Sequence, residues 1–244
     1  MTASAGRWLL GLVTIGQSPR DDILPQIEPH LPAGLSIRQM GALDGLTRDE
    51  IAGLAPGPND YVLHTRLRDG SAVTVGRAGI LPLLQGCLGR LEGEGANPIV
   101  LLCTGEFPEL RGRALLIEPD RLLVNVVQAL RPRRLGVFVP LSAQIEAAAE
   151  KWQAVGAELA FAAASPYGDE AEVRRAAEVL ARRSPELVVM DCMGYTQAHK
   201  RLVVQATGSL VLLASGVIAS VVGALLAQSQ EDVETKPGEI RELT

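Results

Sequence analysis

Short, continuous apolar runs alternate along this chain with segments of helical periodicity, and no other feature limits the fold so strongly. Residues 9–15 (LLGLVTI), 98–102 (PIVLL), 135–139, 187–190 and 209–214 are apolar at nearly every position instead of every second one. A strand apolar on both faces must be covered on both, which a parallel sheet flanked by helices achieves. Helical spacing follows: Leu81, Leu84, Leu88 and Leu91 fall on one face of residues 78–91. The pattern predicts an α/β protein with mainly parallel sheets. Local signals add detail. Thr47-Arg48-Asp49-Glu50 is a capping box opening a short helix. Asp69-Gly70 marks a hairpin joining strands at 61–65 and 72–75. Ser18 before Pro19 predicts a capped helix beginning at the proline.

With 244 residues the chain can build two such lobes. The sequence places an N-terminal α/β lobe at 1–110 and a second at 111–208. The strand and helix of 209–228 are expected to return to the first lobe, and 229–244 reads as a polar tail. Residues 202–230 are uncharged over a span long enough to cross a bilayer. Gln205, Thr207, Gly208, Ser209, Ser215 and Gly216 interrupt that span at intervals that suit helix end, strand, turn and helix, so no membrane segment is expected. Residues 8–16 read as a first strand and not as a signal peptide. The net charge of -5 with no basic block, and only 3% aromatics, argue against nucleic-acid binding. Three cysteines without CxxC spacing leave no zinc framework and suit a reducing, cytoplasmic setting. The three histidines are scattered, so no metal site is expected. No GxGxxG, Walker or GxSxG motif is present, and no cofactor is called for.

One motif occurs twice. Val100-Leu101-Leu102-Cys103-Thr104-Gly105 and Val189-Met190-Asp191-Cys192-Met193-Gly194 each carry a cysteine at the end of a buried strand, one per lobe. Ligands bind at the carboxyl ends of strands in open α/β sheets, and a thiol near a helix N-terminus is biased toward thiolate. Two thiols facing a carbon from opposite sides permit two-base proton transfer. The alternative is that both are small buried hydrophobes. Thr104, Gly105, Met193 and Gly194 offer backbone donors for an enolate-like intermediate. Gln17, Ser18 and Arg20 end the first strand, where they either hold a substrate carboxylate or serve as a plain helix cap. Tyr195 is the polar group nearest the second cysteine, with His199 further on. Asp191 alternates with Cys192 and is read as structural. Ser165-Pro166-Tyr167 forms a second-lobe loop, and Cys87 belongs to a helix core. His64 and Arg66 lie on a hairpin strand, at the cleft mouth or on a solvated face.

Thr14–Asp21 (TIGQSPRD), Leu101–Phe107 (LLCTGEF) and Asp191–Tyr195 (DCMGY) resemble the AroM family, over most of residues 8–228. The resemblance implies the fold of the aspartate/glutamate racemase superfamily: two pseudo-symmetric, Rossmann-like lobes, each giving a cysteine to the cleft. Cys103 and Cys192 sit at the two matching positions. It further implies a cofactor-independent racemase, epimerase or isomerase acting on a small carboxylate or related acyl compound, with a homodimer as a possible assembly. A single-cysteine decarboxylase and a non-catalytic sensor of small acids are the alternatives. Gly105-Glu106-Phe107 and Met193-Gly194-Tyr195 depart from the residues that follow the two cysteines in the superfamily's amino-acid racemases, and no histidine adjoins the second cysteine.

Overall fold

A computed structural model of the chain describes residues 8–231. In chain order, β1 (Leu9–Thr14), α1 (Leu24–Ile27), β2 (Ser36–Gly41) and α2 (Arg48–Ala52) precede a hairpin of β3 (Val62–Arg66) and β4 (Ala72–Gly76). Then come α3 (Arg77–Gly93), β5 (Ile99–Leu101), β6 (Leu116–Ile117), α4 (Pro119–Leu130), β7 (Arg134–Val139), α5 (Ile145–Trp152) and β8 (Glu158–Ala163). The chain continues through α6 (Glu170–Ala181), β9 (Leu187–Met190), α7 (Gln197–Thr207), β10 (Leu210–Leu213) and α8 (Ala214–Glu231).

Two parallel sheets result, ordered β2-β1-β5-β6 and β10-β9-β7-β8, with the β3–β4 hairpin as a separate antiparallel pair. Counted within its own sheet, each runs second-first-third-fourth. The direction of winding therefore reverses between the first and third strands, and a crevice opens at their carboxyl ends. Cys103 follows β5 and Cys192 follows β9, the third strand of each sheet.

Strand alternation sorts the core into layers. Leu10, Leu12 and Val100 of the first sheet meet Leu135, Val137, Val139, Leu187 and Val189 of the second in one cluster, together with Trp152 and Ile218 and Val222 of α8. On the outer face of the first sheet, Val13, Ile99 and Leu101 pack against Ile80, Leu84, Leu88 and Leu91 of α3. On the outer face of the second, Phe138, Val188 and Met190 pack against α6 and α7. No described helix is long and apolar enough to cross a membrane.

Thr47 caps α2 through a capping box with Glu50, and the hairpin turns at Asp69-Gly70 as expected. Three expectations are corrected. The strand of 209–213 does not return to the first lobe: as β10 it pairs in parallel register with β9, Leu210 opposite Leu187, and only α8 crosses back to pack on α1. The first sheet also runs past residue 110, because β6 pairs with β5. No helix begins at Pro19; α1 starts at Leu24 because the Ser18 side chain is engaged elsewhere, its hydroxyl donating to Asp44 Oδ2 (2.6 Å). The expected polar tail falls beyond the described residues except for 229–231, where α8 continues.

Candidate active site

Cys103 and Cys192 line one cavity of about 30 Å3 between the sheets, with Arg20, His64, Tyr167 and Asp191 also on its walls. That volume admits only a water or two. Each sulphur accepts a hydrogen bond from the backbone N–H of the glycine two residues on: Gly105 to Cys103 at 3.3 Å, and Gly194 to Cys192 at 3.4 Å. These amides were expected to serve an enolate, but they point at the thiols. The glycines also admit their neighbours. A Cβ on Gly194 would stand 2.5 Å from the Tyr167 hydroxyl, and one on Gly105 2.8 Å from Leu63 Cδ2.

A cation of the opposite lobe favours the thiolate of each cysteine at longer range. Arg20 of the first lobe is 3% exposed and acts on Cys192, whereas Lys151 of the second acts on Cys103. Both cations carry a carboxylate of their own. Asp22 takes Arg20 Nε and Nη2 in a paired contact, both at 2.8 Å, while Thr14 Oγ1 and the Tyr167 hydroxyl accept from the same guanidinium at 3.0 Å. Burial works against the Arg20 charge, yet the hydrogen bonds to Asp22 carry its pKa above the ordinary value. Lys151 Nζ lies 2.5 Å from Asp191 Oδ2 and donates to the Thr104 carbonyl at 3.0 Å. Asp191 Oδ2 also accepts from Trp152 Nε1 (2.8 Å), and the Thr104 hydroxyl donates to the Asp191 carbonyl (3.0 Å), which ties the two cysteine loops together.

The expectation of thiols poised as thiolates is overturned. Burial pushes the Cys103 thiol up to about 12, against the lowering effect of the Gly105 N–H and Lys151. It pushes Cys192 up to about 11, against the Gly194 N–H and Arg20. No helix begins directly after either cysteine, α7 starting only at Gln197, so no helix dipole offsets the desolvation.

The other expected site residues divide. Arg20, Thr104, Gly105, Met193 and Gly194 lie at the cavity with the two thiols. Gln17 does not: its side chain bridges Leu43 and Arg68 outside the cleft. Ser18 is held by Asp44 through both its N–H (2.8 Å) and its hydroxyl. Tyr195 is fully buried in the second lobe's outer core, edge-on to Phe138 and donating to the Ala164 carbonyl (2.7 Å). Its backbone turns it away from the cleft, so it is a packing residue. His199 caps α7 through Nδ1. The sequence reading missed Lys151 and the cleft-facing role of Asp191. One signal was available, since only three of the 23 basic residues are lysines, at 151, 200 and 236. A compact ammonium placed beside Trp152 in an arginine-rich chain marks a local need.

The hairpin closes the cavity from above. His64 Nε2 lies 2.9 Å from Ser165 Oγ, its ring 5.4 Å from that of Tyr167, and Gln144 Nε2 donates to the Val62 carbonyl (3.1 Å). His64 therefore sits at the cleft mouth and not on a solvated face.

Two sheets of equal strand order, each with a thiol after its third strand, define a two-lobed α/β protein of the aspartate/glutamate racemase-like fold. Solved structures share it. An allantoin racemase from Klebsiella pneumoniae superposes with a TM-score of 0.61 at 13% identity, covering 96% of each chain. Unliganded arylmalonate decarboxylase gives 0.57 at 13% identity, covering 95% of this chain and 96% of its own. Picrophilus torridus aspartate racemase gives 0.54 at 10%, covering 91% and 94%. A comparison with curated proteins gave no match. The family described as AroM protein matches residues 10–226, and the chain belongs to the AroM family.

Proposed function

We propose that this protein is a racemase-, epimerase- or isomerase-type enzyme that moves a proton on a small carbon acid, with Cys103 and Cys192 as its acid/base pair and no cofactor. The observation that carries this reading is the meeting of one thiol from each lobe at a single cavity, each with a glycine N–H on its sulphur and with Arg20 on the same wall. One sulphur, as thiolate, takes the proton from the substrate carbon. The electron pair delocalises into the adjoining carbonyl, and the other thiol returns a proton on the far face. The substrate is a small carboxylate or related acyl compound, and the absence of paired cysteines suits a cytoplasmic enzyme.

A second reading, a binding protein that senses a small acid, is favoured by the high resting pKa of both thiols. One experiment separates the two. Loss of the α-proton in D2O is followed by NMR over amino acids, hydantoins and dicarboxylates, for wild type, Cys103→Ser and Cys192→Ser. Exchange that both substitutions abolish or restrict to one enantiomer supports proton transfer. Absence of exchange, with ligand binding that survives both substitutions, overturns it in favour of the sensor.

A further inference from the structure

Beside the thiols the cavity continues into a second space of about 30 Å3, which shares Thr104, Gly105 and Asp191 with the first and adds Tyr61 and Lys151. Through Tyr61 and Gln144 it adjoins a surface groove of about 370 Å3. Asp191 is 5% exposed and lines both inner spaces. Its Oδ2 is engaged by Lys151 and Trp152, but its Oδ1 has no partner. His64 Nδ1 and Thr65 Oγ1, on the wall of the first space, are likewise buried without partners. A buried polar atom left unpaired is costly, so a cluster of them in one cavity marks where a ligand's polar groups belong.

The same space also offers donors. Lys151 has two of its three N–H groups engaged, by Asp191 and by the Thr104 carbonyl. The Tyr61 hydroxyl stays protonated, because burial, then the charge of Asp191, push its pKa up. The charge of each cation is already balanced, Arg20 by Asp22 and Lys151 by Asp191, so the open N–H of Lys151 suits a neutral carbonyl better than a second carboxylate. A substrate carboxylate placed at Asp191 would meet like charge, whereas an N–H would satisfy the open oxygen.

We propose that Lys151 and Asp191 form a subsite for the C=O/N–H edge of an amide or ureide, so that the substrate is an uncharged acyl compound with an N–H beside its carbonyl and not a dicarboxylate. The subsite extends the two-thiol reading, in which the acidic carbon of that compound lies between the sulphurs. The probes are 5-methylhydantoin, its 1-methyl and 3-methyl derivatives, aspartate and methylmalonate. Binding is measured by ligand-observed NMR titration, and exchange by α-proton loss in D2O. Methylation at one nitrogen is expected to weaken binding by about 10- to 100-fold, the derivative at the other nitrogen serving as steric control. Asp191→Asn, checked for folding by Trp152 fluorescence, is expected to erase that difference. Equal affinity for 5-methylhydantoin and both derivatives, no binding of 5-methylhydantoin, or tighter binding of a dicarboxylate overturns the subsite. Discriminating binding without exchange of any probe supports the subsite and removes the proton-transfer reading. Exchange confined to a dicarboxylate does the reverse.

Discussion

Each cleft thiol is under opposed influences: desolvation raises its pKa, while one N–H and one distant cation lower it. Desolvation prevails, which fixes the direction of the pH dependence. With Cys192 near 11, the thiolate fraction at pH 8 is about one in a thousand. In a Cys87→Ala background, carboxamidomethylation of Cys192 should then run about 100-fold below that of an ordinary thiol at pH 8 and climb about tenfold per pH unit. A plateau reached below pH 9 would contradict the buried assignment. Linkage has the same sign. Both thiols have raised folded-state values, so the stability tied to their protonated form is complete below the ordinary thiol range and is lost as pH rises from there through 11 to 12. Substituting Lys151 carries a second cost, because Asp191 is left as an unpaired buried charge. Lys151→Met should destabilise by about 3–5 kcal/mol, and Lys151→Met with Asp191→Asn should recover most of that, as read by urea unfolding. Asparagine keeps an acceptor for Trp152 Nε1, so the recovery isolates the charge.

Among the elements, the hairpin decides access. A space of about 30 Å3 is too small for a substrate, so an element over it has to move, and β3–β4 is expected to be that element. Its ties to the second lobe include the Gln144 bond to the Val62 carbonyl and the His64–Ser165 contact. Removing both with Gln144→Ala and Ser165→Ala should speed hydrogen exchange of residues 62–76 by about 10- to 30-fold, and alkylation of Cys103 should accelerate with it. Faster exchange with unchanged alkylation would mean that the thiols are reached by another route. The hairpin itself was legible in the sequence, since Asp69-Gly70 and the strands around it are local signals; its place over the cleft was not. The same division runs through the molecule. Thr47 caps its helix with a partner three residues away and was read correctly. Ser18 was misread because Asp44, 26 positions away in the chain, takes its hydroxyl. The cysteine repeat was visible because each copy is six consecutive residues. Asp191 was read as a structural residue turned away from Cys192, but it lines the cavity beside that cysteine, and Lys151, 40 positions earlier, meets it only once the sheets have packed. Tyr195 looked like a site residue by adjacency alone; odd positions of β9 face the shared core, but the turn after the strand breaks that alternation and carries Tyr195 into the outer core.

Taken whole, the two lobes share one interior. Strand residues of both sheets meet in a single cluster, and α8, which leaves the second sheet after β10, packs against α1 and α4. Neither lobe can lose its inner face without exposing the other's, so the protein should unfold in one step. The chain carries its own reporters, having only two tryptophans: Trp8 enters the first sheet and Trp152 ends α5 in the second lobe, both against the shared cluster. In Trp8→Phe and in Trp152→Phe, the remaining tryptophan reports on one lobe while far-UV circular dichroism reports on both. In each variant the fluorescence and dichroism midpoints in urea are expected to agree within about 0.3 M. Trp152→Phe removes the bond to Asp191 Oδ2 and should lower both midpoints together. If its Trp8 signal instead kept the parent midpoint while the dichroism split into two transitions, the first lobe would be holding its fold alone. The cysteine cleft would then be an interface between two independent domains and not a feature of one cooperative unit.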